Sequence, residues 1–256
     1  MILAVNIGNT NIRAAIGKKE PELDAVAWGD EVASGDSLTR FIEERFGPDL
    51  WDKLEGSILA SVVPSQTPLV SGAIQAKTGT APQRIDIKGC MSLNLKRYKG
   101  LPGEDRVVCC VGALQKYQPP FILVDFGTAT TVNAVTEDRA FIGGAILAGL
   151  HISLKALADR TAQLPLIIPV KAKSDARVPL IGTGTEENLL SGAVLGQAFA
   201  VEGYVNRIKS QLGPQTKVIV TGGHAPVVLP CCNFEYIHEP NLLLCGLFSL
   251  FRRGSA

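Results

Sequence analysis

Three short phrases in the chain hold residue types suited to binding and moving a phosphoryl group. Val5-Asn6-Ile7-Gly8-Asn9-Thr10-Asn11 is echoed about 119 positions later by Val124-Asp125-Phe126-Gly127-Thr128-Ala129-Thr130, each after an apolar run. Gly8 and Gly127 let the backbone approach a ligand closely, and Asn9, Thr10, Thr128 and Thr130 add side-chain donors. Two such turns facing one another would offer N–H groups and hydroxyls to a polyphosphate from both sides. Either turn alone is also ordinary hairpin chemistry, so the repetition is what points to phosphate. The second copy carries Asp125 where the first carries Asn6. A carboxylate there can hold a cation, whereas an amide brings no charge. The third phrase, Gly103-Glu104-Asp105-Arg106, sets two acids and a guanidinium side by side. An Asp within reach of an alcohol can act as its base, and an Arg can bind a carboxylate or phosphate. Acids at a helix N-terminus also complement the helix dipole, and that alternative stays open for Glu104 and Asp105.

Two further elements are more ambiguous. Thr221-Gly222-Gly223-His224-Ala225-Pro226 ends an apolar strand in a turn that could pack against an adenine or ribose, with His224 expected as a solvated turn residue. Thr185, ahead of Glu186 and Glu187, reads either as a helix cap or as a contact to a substrate hydroxyl.

The elements that must position these residues recur in the two halves. Met1 to Ile16 reads as two strands joined by the Gly8 turn, with a third strand at Ala25 to Trp28. A helix from Ser37 to Phe46 follows, with Asp36 or Ser37 as its cap, then a strand at Ser57 to Val63 and a helix at Pro68 to Lys77. Arg84 to Ile87 reads as a short strand, Met91 to Gly103 as an extended loop, and Arg106 to Tyr117 as a helix opening at the acidic phrase. The second half repeats the order, with strands at Phe121 to Asp125, Thr131 to Val135 and Ala140 to Ile146 and a helix at Ser153 to Asp159. Gln163 to Val170 reads as an extended loop, and Glu186 to Ile208 as the longest helix, capped by Thr185. A strand at Lys217 to Val220 and a helix at Asn241 to Phe251 close the chain. This is an α/β order, and the repeat predicts two duplicated ribonuclease-H-like, actin-type domains with mixed β-sheets flanked by helices. The predicted boundaries are 1–118 and 119–256.

Composition excludes several classes. A net charge of +1 with scattered Lys and Arg gives no electrostatic footprint for nucleic acid. No apolar run approaches the roughly 20 residues that span a bilayer, so no membrane partner is expected. The N-terminus enters a strand without a signal-like segment, and a cytoplasmic location is expected. The six cysteines lack CxxC spacing and are expected to be free, buried thiols.

Taken in order, these phrases resemble the type III pantothenate kinases, bacterial enzymes that phosphorylate pantothenate in the first committed step of coenzyme A synthesis. The resemblance also runs through Gly143-Gly144-Ala145-Ile146, Thr161-Ala162-Gln163-Leu164-Pro165 and Ile181-Gly182 to Glu186. It implies that Asn6, Ile7, Gly8, Asn9, Thr10, Asn11, Ile12 and Arg13 form the first ATP-phosphate loop and that Thr128 contacts ATP from the second. Asp125 would hold the monovalent cation, K⁺ or NH₄⁺, and Mg²⁺ would accompany ATP. Gly103, Glu104, Asp105 and Arg106 would contact pantothenate, with Asp105 as the base toward its primary hydroxyl. Thr185 and Tyr98 would be further pantothenate contacts. The family works as a homodimer.

The departures are equally specific. The family phrase opens with Asp where this chain has Asn6, and Arg97-Tyr98-Lys99-Gly100-Leu101-Pro102 is spaced differently from the usual substrate loop. Leu147-Ala148-Gly149 stands where Ala-Pro-Gly is usual. Losing one preorganised polar contact typically removes about 2 to 4 kcal/mol of transition-state stabilisation, so Asn6 predicts weaker catalysis. It also opens an alternative, an accessory or regulatory paralogue with the same fold.

Overall fold

The echoing phrases each close a β-hairpin at the centre of a five-stranded sheet. The computed structural model describes residues 1–28, 34–90, 92–168 and 178–253. In its first unit β1 (Ile2–Ile7) pairs antiparallel with β2 (Asn11–Gly17), which pairs antiparallel with β3 (Leu23–Trp28). On its other side β1 runs parallel to β4 (Gly56–Ser61), and β4 runs parallel to β5 (Gln83–Arg84), giving the order β3-β2-β1-β4-β5. Every residue of β1 is buried, so this central strand reads as an apolar run broken only by Asn6 instead of an alternation. α1 (Gly35–Phe46) and α2 (Thr67–Thr78) bring Leu38, Ile42, Val70 and Ile74 into one core with Leu3, Val5, Ile7 and Ile12. α3 (Glu104–Lys116) begins at the acidic phrase, as its composition predicts.

α1 starts earlier than the Ser37 opening read from the sequence. Ser34 is its cap: the Ser37 N–H donates to Ser34 Oγ at 3.2 Å and the Ser34 N–H to Ser37 Oγ at 2.9 Å. The reciprocal pair satisfies two orphan N–H groups, more than Asp36 or Ser37 could do alone. β5 covers Gln83 and Arg84, ahead of most of the expected Arg84 to Ile87 strand. Within the Met91 to Gly103 stretch, Met91 lies outside the described residues and the rest is turns, bends and coil with a single bridge at Asn94.

The second unit repeats the arrangement. β6 (Phe121–Phe126), β7 (Ala129–Val135) and β8 (Phe141–Ala148) form the antiparallel part. α4 (Leu150–Arg160), α5 (Thr185–Leu190) and α6 (Gly196–Leu212) lead to β9 (Lys217–Thr221), parallel to β6. α7 (Ala225–Val228) and β10 (Ile237–His238), parallel to β9, complete the order β10-β9-β6-β7-β8. Both sheets thus use one connectivity, with three antiparallel strands and two parallel ones. Val124, Phe126, Val132, Leu150, Leu154, Val201 and Val220 lie in the core beneath the second hairpin.

The long helix read from Glu186 to Ile208 is three pieces. Between α5 and α6, Ser191–Leu195 takes a π-helical turn. That wider turn shifts which residues face inward, and a pattern of 3.6-residue period does not show it. The loop from Gln163 has no regular structure through Ile168, and Pro169 and Val170 lie outside the described residues.

The contact units depart from the two contiguous halves at the C-terminus. One is Met1–Tyr117 with the chain from Asn241 onward, and the other is Gln118–Pro240. The terminal helix α8 (Leu242–Arg253) packs on α3 and so groups with the first unit. Glycines permit the close crossing: a Cβ on Gly112 would sit 2.1 Å from the Leu242 carbonyl oxygen, and one on Gly246 2.0 Å from that of Val108. All six cysteines are free, but only Cys109 and Cys110 are buried, the other four being half-buried. Burial pushes the thiols of Cys110 and Cys232 up to about 12, which keeps them protonated. Among the described residues no helix is long and apolar enough to cross a membrane.

Candidate active site

In the first unit the candidate residues gather at the carboxyl ends of the parallel strands β1 and β4, where open α/β sheets bind ligands. The Gly8 N–H donates to the Asn11 carbonyl at 2.9 Å, closing the hairpin turn. Asn9 at its tip is exposed, while Thr10 and Asn11 are half-buried. Asn6, just before the turn, is only 6 % exposed, and its Oδ1 is buried with no hydrogen-bond partner. A buried unpaired carbonyl costs about 1–3 kcal/mol, so this oxygen is an acceptor in want of a donor. The residue opposite Asn6 on β2 is Arg13, whose Nη2 donates to Asn241 Oδ1 at 2.9 Å ahead of the terminal helix.

α3 presents the acidic phrase at the same end of the sheet. Gly103 precedes its first turn and supplies no side-chain cap. Asp105 Oδ1 accepts from the Arg106 N–H at 2.8 Å, which fixes one carboxylate oxygen on the helix end. Arg106 is 9 % exposed, and its guanidinium carbon lies 5.8 Å from the centre of the Tyr98 ring, with Nη1 3.4 Å from the Tyr98 hydroxyl. Stacking on an aromatic face holds a guanidinium plane in place. Glu104, expected beside the substrate, has its carboxylate engaged by protein: Oε2 accepts from the Ser61 N–H at 2.8 Å, and Oε1 lies 3.3 Å from Arg84 Nη2.

In the second unit the Gly127 turn is enclosed by backbone. The Gly127 N–H donates to the Ala129 carbonyl and the Gly149 N–H to the Thr128 carbonyl, both at 3.2 Å. A Cβ on Gly149 would stand 2.2 Å from the Thr128 oxygen. Gly222, at φ +101, passes so close that a Cβ would lie 2.4 Å from Asp125 Oδ1 and 2.5 Å from Phe126 backbone atoms. His224, a half-buried turn residue, joins this enclosure: its N–H donates to the Phe126 carbonyl at 2.9 Å and its Nδ1 lies 3.3 Å from the Gly127 oxygen. Buried Gln197 on α6 links the turn to the strand beyond: its Oε1 accepts from Thr130 Oγ1, and its Nε2 donates to the Ala148 carbonyl, both at 2.8 Å. Gln197 escaped the sequence reading, because a Gln in a helix carries no local signal.

Thr185 makes no side-chain cap to α5. Gly184 is the N-cap, with no side-chain cap bond, and the Glu187 carboxylate reaches back instead, its Oε2 accepting from the Thr183 N–H and hydroxyl at 2.7 and 2.8 Å. These bonds hold the Glu187 carboxyl below its usual range. Thr185 is exposed instead, in a depression of about 520 Å³ lined also by Gln163, Pro165 and Thr183. Among the described residues no three of His, Cys, Asp or Glu gather to hold a metal ion. A hard cation at Asp125 or Asn6 would therefore complete its shell with phosphate oxygens and water, the usual habit of Mg²⁺ in phosphoryl-transfer sites. The unpaired Asn6 oxygen fits such a role, since it can accept from a metal-bound water.

Residues 2–207 match the family described as type III pantothenate kinase. A type III pantothenate kinase from Moorella thermoacetica is 33 % identical over the full length of both chains. One from Thermomicrobium roseum is 32 % identical over 99 % of this chain and 97 % of its own. Among solved structures, the activator of 2-hydroxyisocaproyl-CoA dehydratase from Clostridium difficile, with bound ADPNP, superposes with a TM-score of 0.55 at 13 % identity. That likeness covers 99 % of this chain and 95 % of the other and shows the shared actin-like fold.

Proposed function

Because this chain belongs to the type III pantothenate kinase family, we propose that its residues divide the phosphorylation of pantothenate as follows. The activity is transfer of a phosphoryl group to the primary hydroxyl of pantothenate, giving 4′-phosphopantothenate at the start of coenzyme A biosynthesis. ATP is the donor, with its phosphates at the loop from Asn6 to Arg13 and a further contact at Thr128. Mg²⁺ accompanying ATP would supply neutralisation of the charge that develops on the phosphates. Asn6 Oδ1 would meet its hydration shell, and Asp125 would hold the monovalent cation, K⁺ or NH₄⁺.

Asp105 is the base. Its Oδ1 is fixed by the Arg106 N–H, so Oδ2 takes the proton of the attacking hydroxyl. Arg106, held against Tyr98, binds the pantothenate carboxylate or the transferred phosphate. Gly103 contributes backbone at the same point, and on the second unit the exposed Thr185, in its depression, is a further proposed pantothenate contact.

Exposed apolar side chains on the second unit support a homodimer. Ile142 and Ile146 on β8 and Phe199 on α6 are 36 %, 64 % and 52 % exposed, too much apolar surface on one unit to be left to water lightly. The six free cysteines suit the reducing cytoplasm. No observation favours the accessory-protein alternative.

The pairing of Asp105 and Arg106 at the head of α3 carries the assignment of roles. With ATP, Mg²⁺, K⁺ and pantothenate, the protein is expected to form phosphopantothenate, detected by mass. Asp105→Asn is expected to lower kcat by about a hundredfold or more while nucleotide still binds. An Asp105→Asn variant as active as the parent would remove Asp105 from the mechanism.

A further inference from the structure

The two partners of the Glu104 carboxylate place it between the candidate base and the first phosphate turn. Its Oε2 accepts from the Ser61 N–H at 2.8 Å. Ser61 ends β4 beside Ile7 of β1, and the Val62 N–H donates to the Ile7 carbonyl at 3.1 Å, immediately before the Gly8 turn. That strand end is locked in turn, because Ser61 Oγ accepts from the Val63 N–H at 3.1 Å and from Thr67 Oγ1 at 2.7 Å. On the other side of the carboxylate, Arg84 on β5 faces Oε1 at 3.3 Å. Glu104 is the first residue of α3 and Asp105 the second. A short chain of bonds therefore runs from the base through Glu104 and Ser61 to the turn expected to hold phosphate.

Resting on the assignment of Asp105 as base, we propose that Glu104 is a positioning residue that sets the spacing between Asp105 and the Gly8 turn, with Arg84 orienting its carboxylate. A substrate contact and a positioning role differ in the kinetic constant they move. A contact to pantothenate made equally in ground and transition states changes KM, whereas misplacing the base changes kcat.

The test is steady-state kinetics on the full chain for Glu104→Ala, Glu104→Gln and Arg84→Gln beside the parent, with a thermal melt of each. Glu104→Ala is expected to lower kcat by about tenfold or more and to hold the pantothenate KM within about threefold. Glu104→Gln keeps an oxygen for the Ser61 N–H and is expected to recover most of that loss, and Arg84→Gln is expected to lower kcat by about twofold to threefold. A raised KM at constant kcat makes Glu104 a substrate contact and overturns the proposal. So does an equal fall in kcat for both Glu104 variants, or no fall in either. If Glu104→Ala does not fold, Arg84→Gln decides: a lower kcat at constant KM supports the proposal and an unchanged kcat overturns it. A parent protein that forms no phosphopantothenate sinks the kinase roles themselves, and the positioning role with them.

Discussion

Around the Gly8 turn, a methyl group in place of the glycine hydrogen would meet the Asn11 carbonyl at 3.2 Å and little else closer than 3.6 Å. A methyl on Gly127 itself would meet nothing nearer than Asp125 Oδ1 at 3.3 Å, but the Gly127 turn is walled from outside: methyls on Gly149 and Gly222 would stand 2.2 to 2.5 Å from atoms of Thr128, Gly127, Asp125 and Phe126, and His224 and Gln197 tie the edges. The pairing differs too. Asn6 stands across from Arg13 and Ile7 from Ile12, leaving four residues between the last pair, 8–11. Asp125 stands across from Thr131 and Phe126 from Thr130, leaving three, 127–129. Two copies of one phrase have become an open turn beside an unpaired amide oxygen and a walled turn beside a carboxylate. An open, unsatisfied turn can adapt to a mobile polyphosphate and its hydrated metal, while a walled turn holds a fixed charge in one place.

The largest expected effect comes from breaking the wall. Gly222→Val would force a side chain into a left-handed backbone and into Phe126, with a stability loss of about 4 kcal/mol or more. Gly8→Ala, the corresponding trial at the open turn, is expected to cost about 1 kcal/mol or less. Urea unfolding of the two variants would reveal the contrast, and equal losses would show that the turns are equally confined.

Exchanging the two polar residues tests the division of labour. Asn6→Asp is expected to raise kcat/KM by about tenfold to a hundredfold in saturating Mg²⁺. Asp125→Asn is expected to lower kcat by a similar factor and to flatten its dependence on K⁺. Rates measured with and without each cation would separate the sites. If both substitutions act alike, the two turns do the same work and the comparison fails.

The smallest effect is expected at the tie behind the walled turn. Gln197→Leu leaves Thr130 Oγ1 and the Ala148 carbonyl without their buried partner, at a stability cost of about 1–3 kcal/mol. Its kcat is expected to fall by less than about tenfold, since Gln197 lies behind the turn and not at the ligand. Differential scanning calorimetry with parallel kinetics would check both.

Much of this was legible in the residues. The echoed phrases, the apolar runs before them and the acidic phrase at a helix start depend on neighbours a few positions apart, so strands, hairpins and α3 follow from local pattern. The ordered phrases also carried the family, which the full-length relatives bear out. Harder to read was anything set by distant partners. Glu104 looked like a ligand contact because nothing near it in the chain announces Ser61 or Arg84. His224 looked solvated because its acceptors lie on β6 and in the Gly127 turn. Thr185 looked like a cap, but the Glu187 carboxylate chose Thr183.

By itself the sequence determined the duplicated α/β order, the family and the candidate chemistry, because periodicity, turn composition and motif spacing are short-range properties of the chain. Only the tertiary structure decided that the terminal helix groups with the first unit, that the second turn is one residue shorter and walled by Gly149 and Gly222, and that Glu104 faces the sheet. Those outcomes depend on which backbones can approach within van der Waals contact and which buried polar groups must find partners. Both are settled when segments far apart in the chain are packed together.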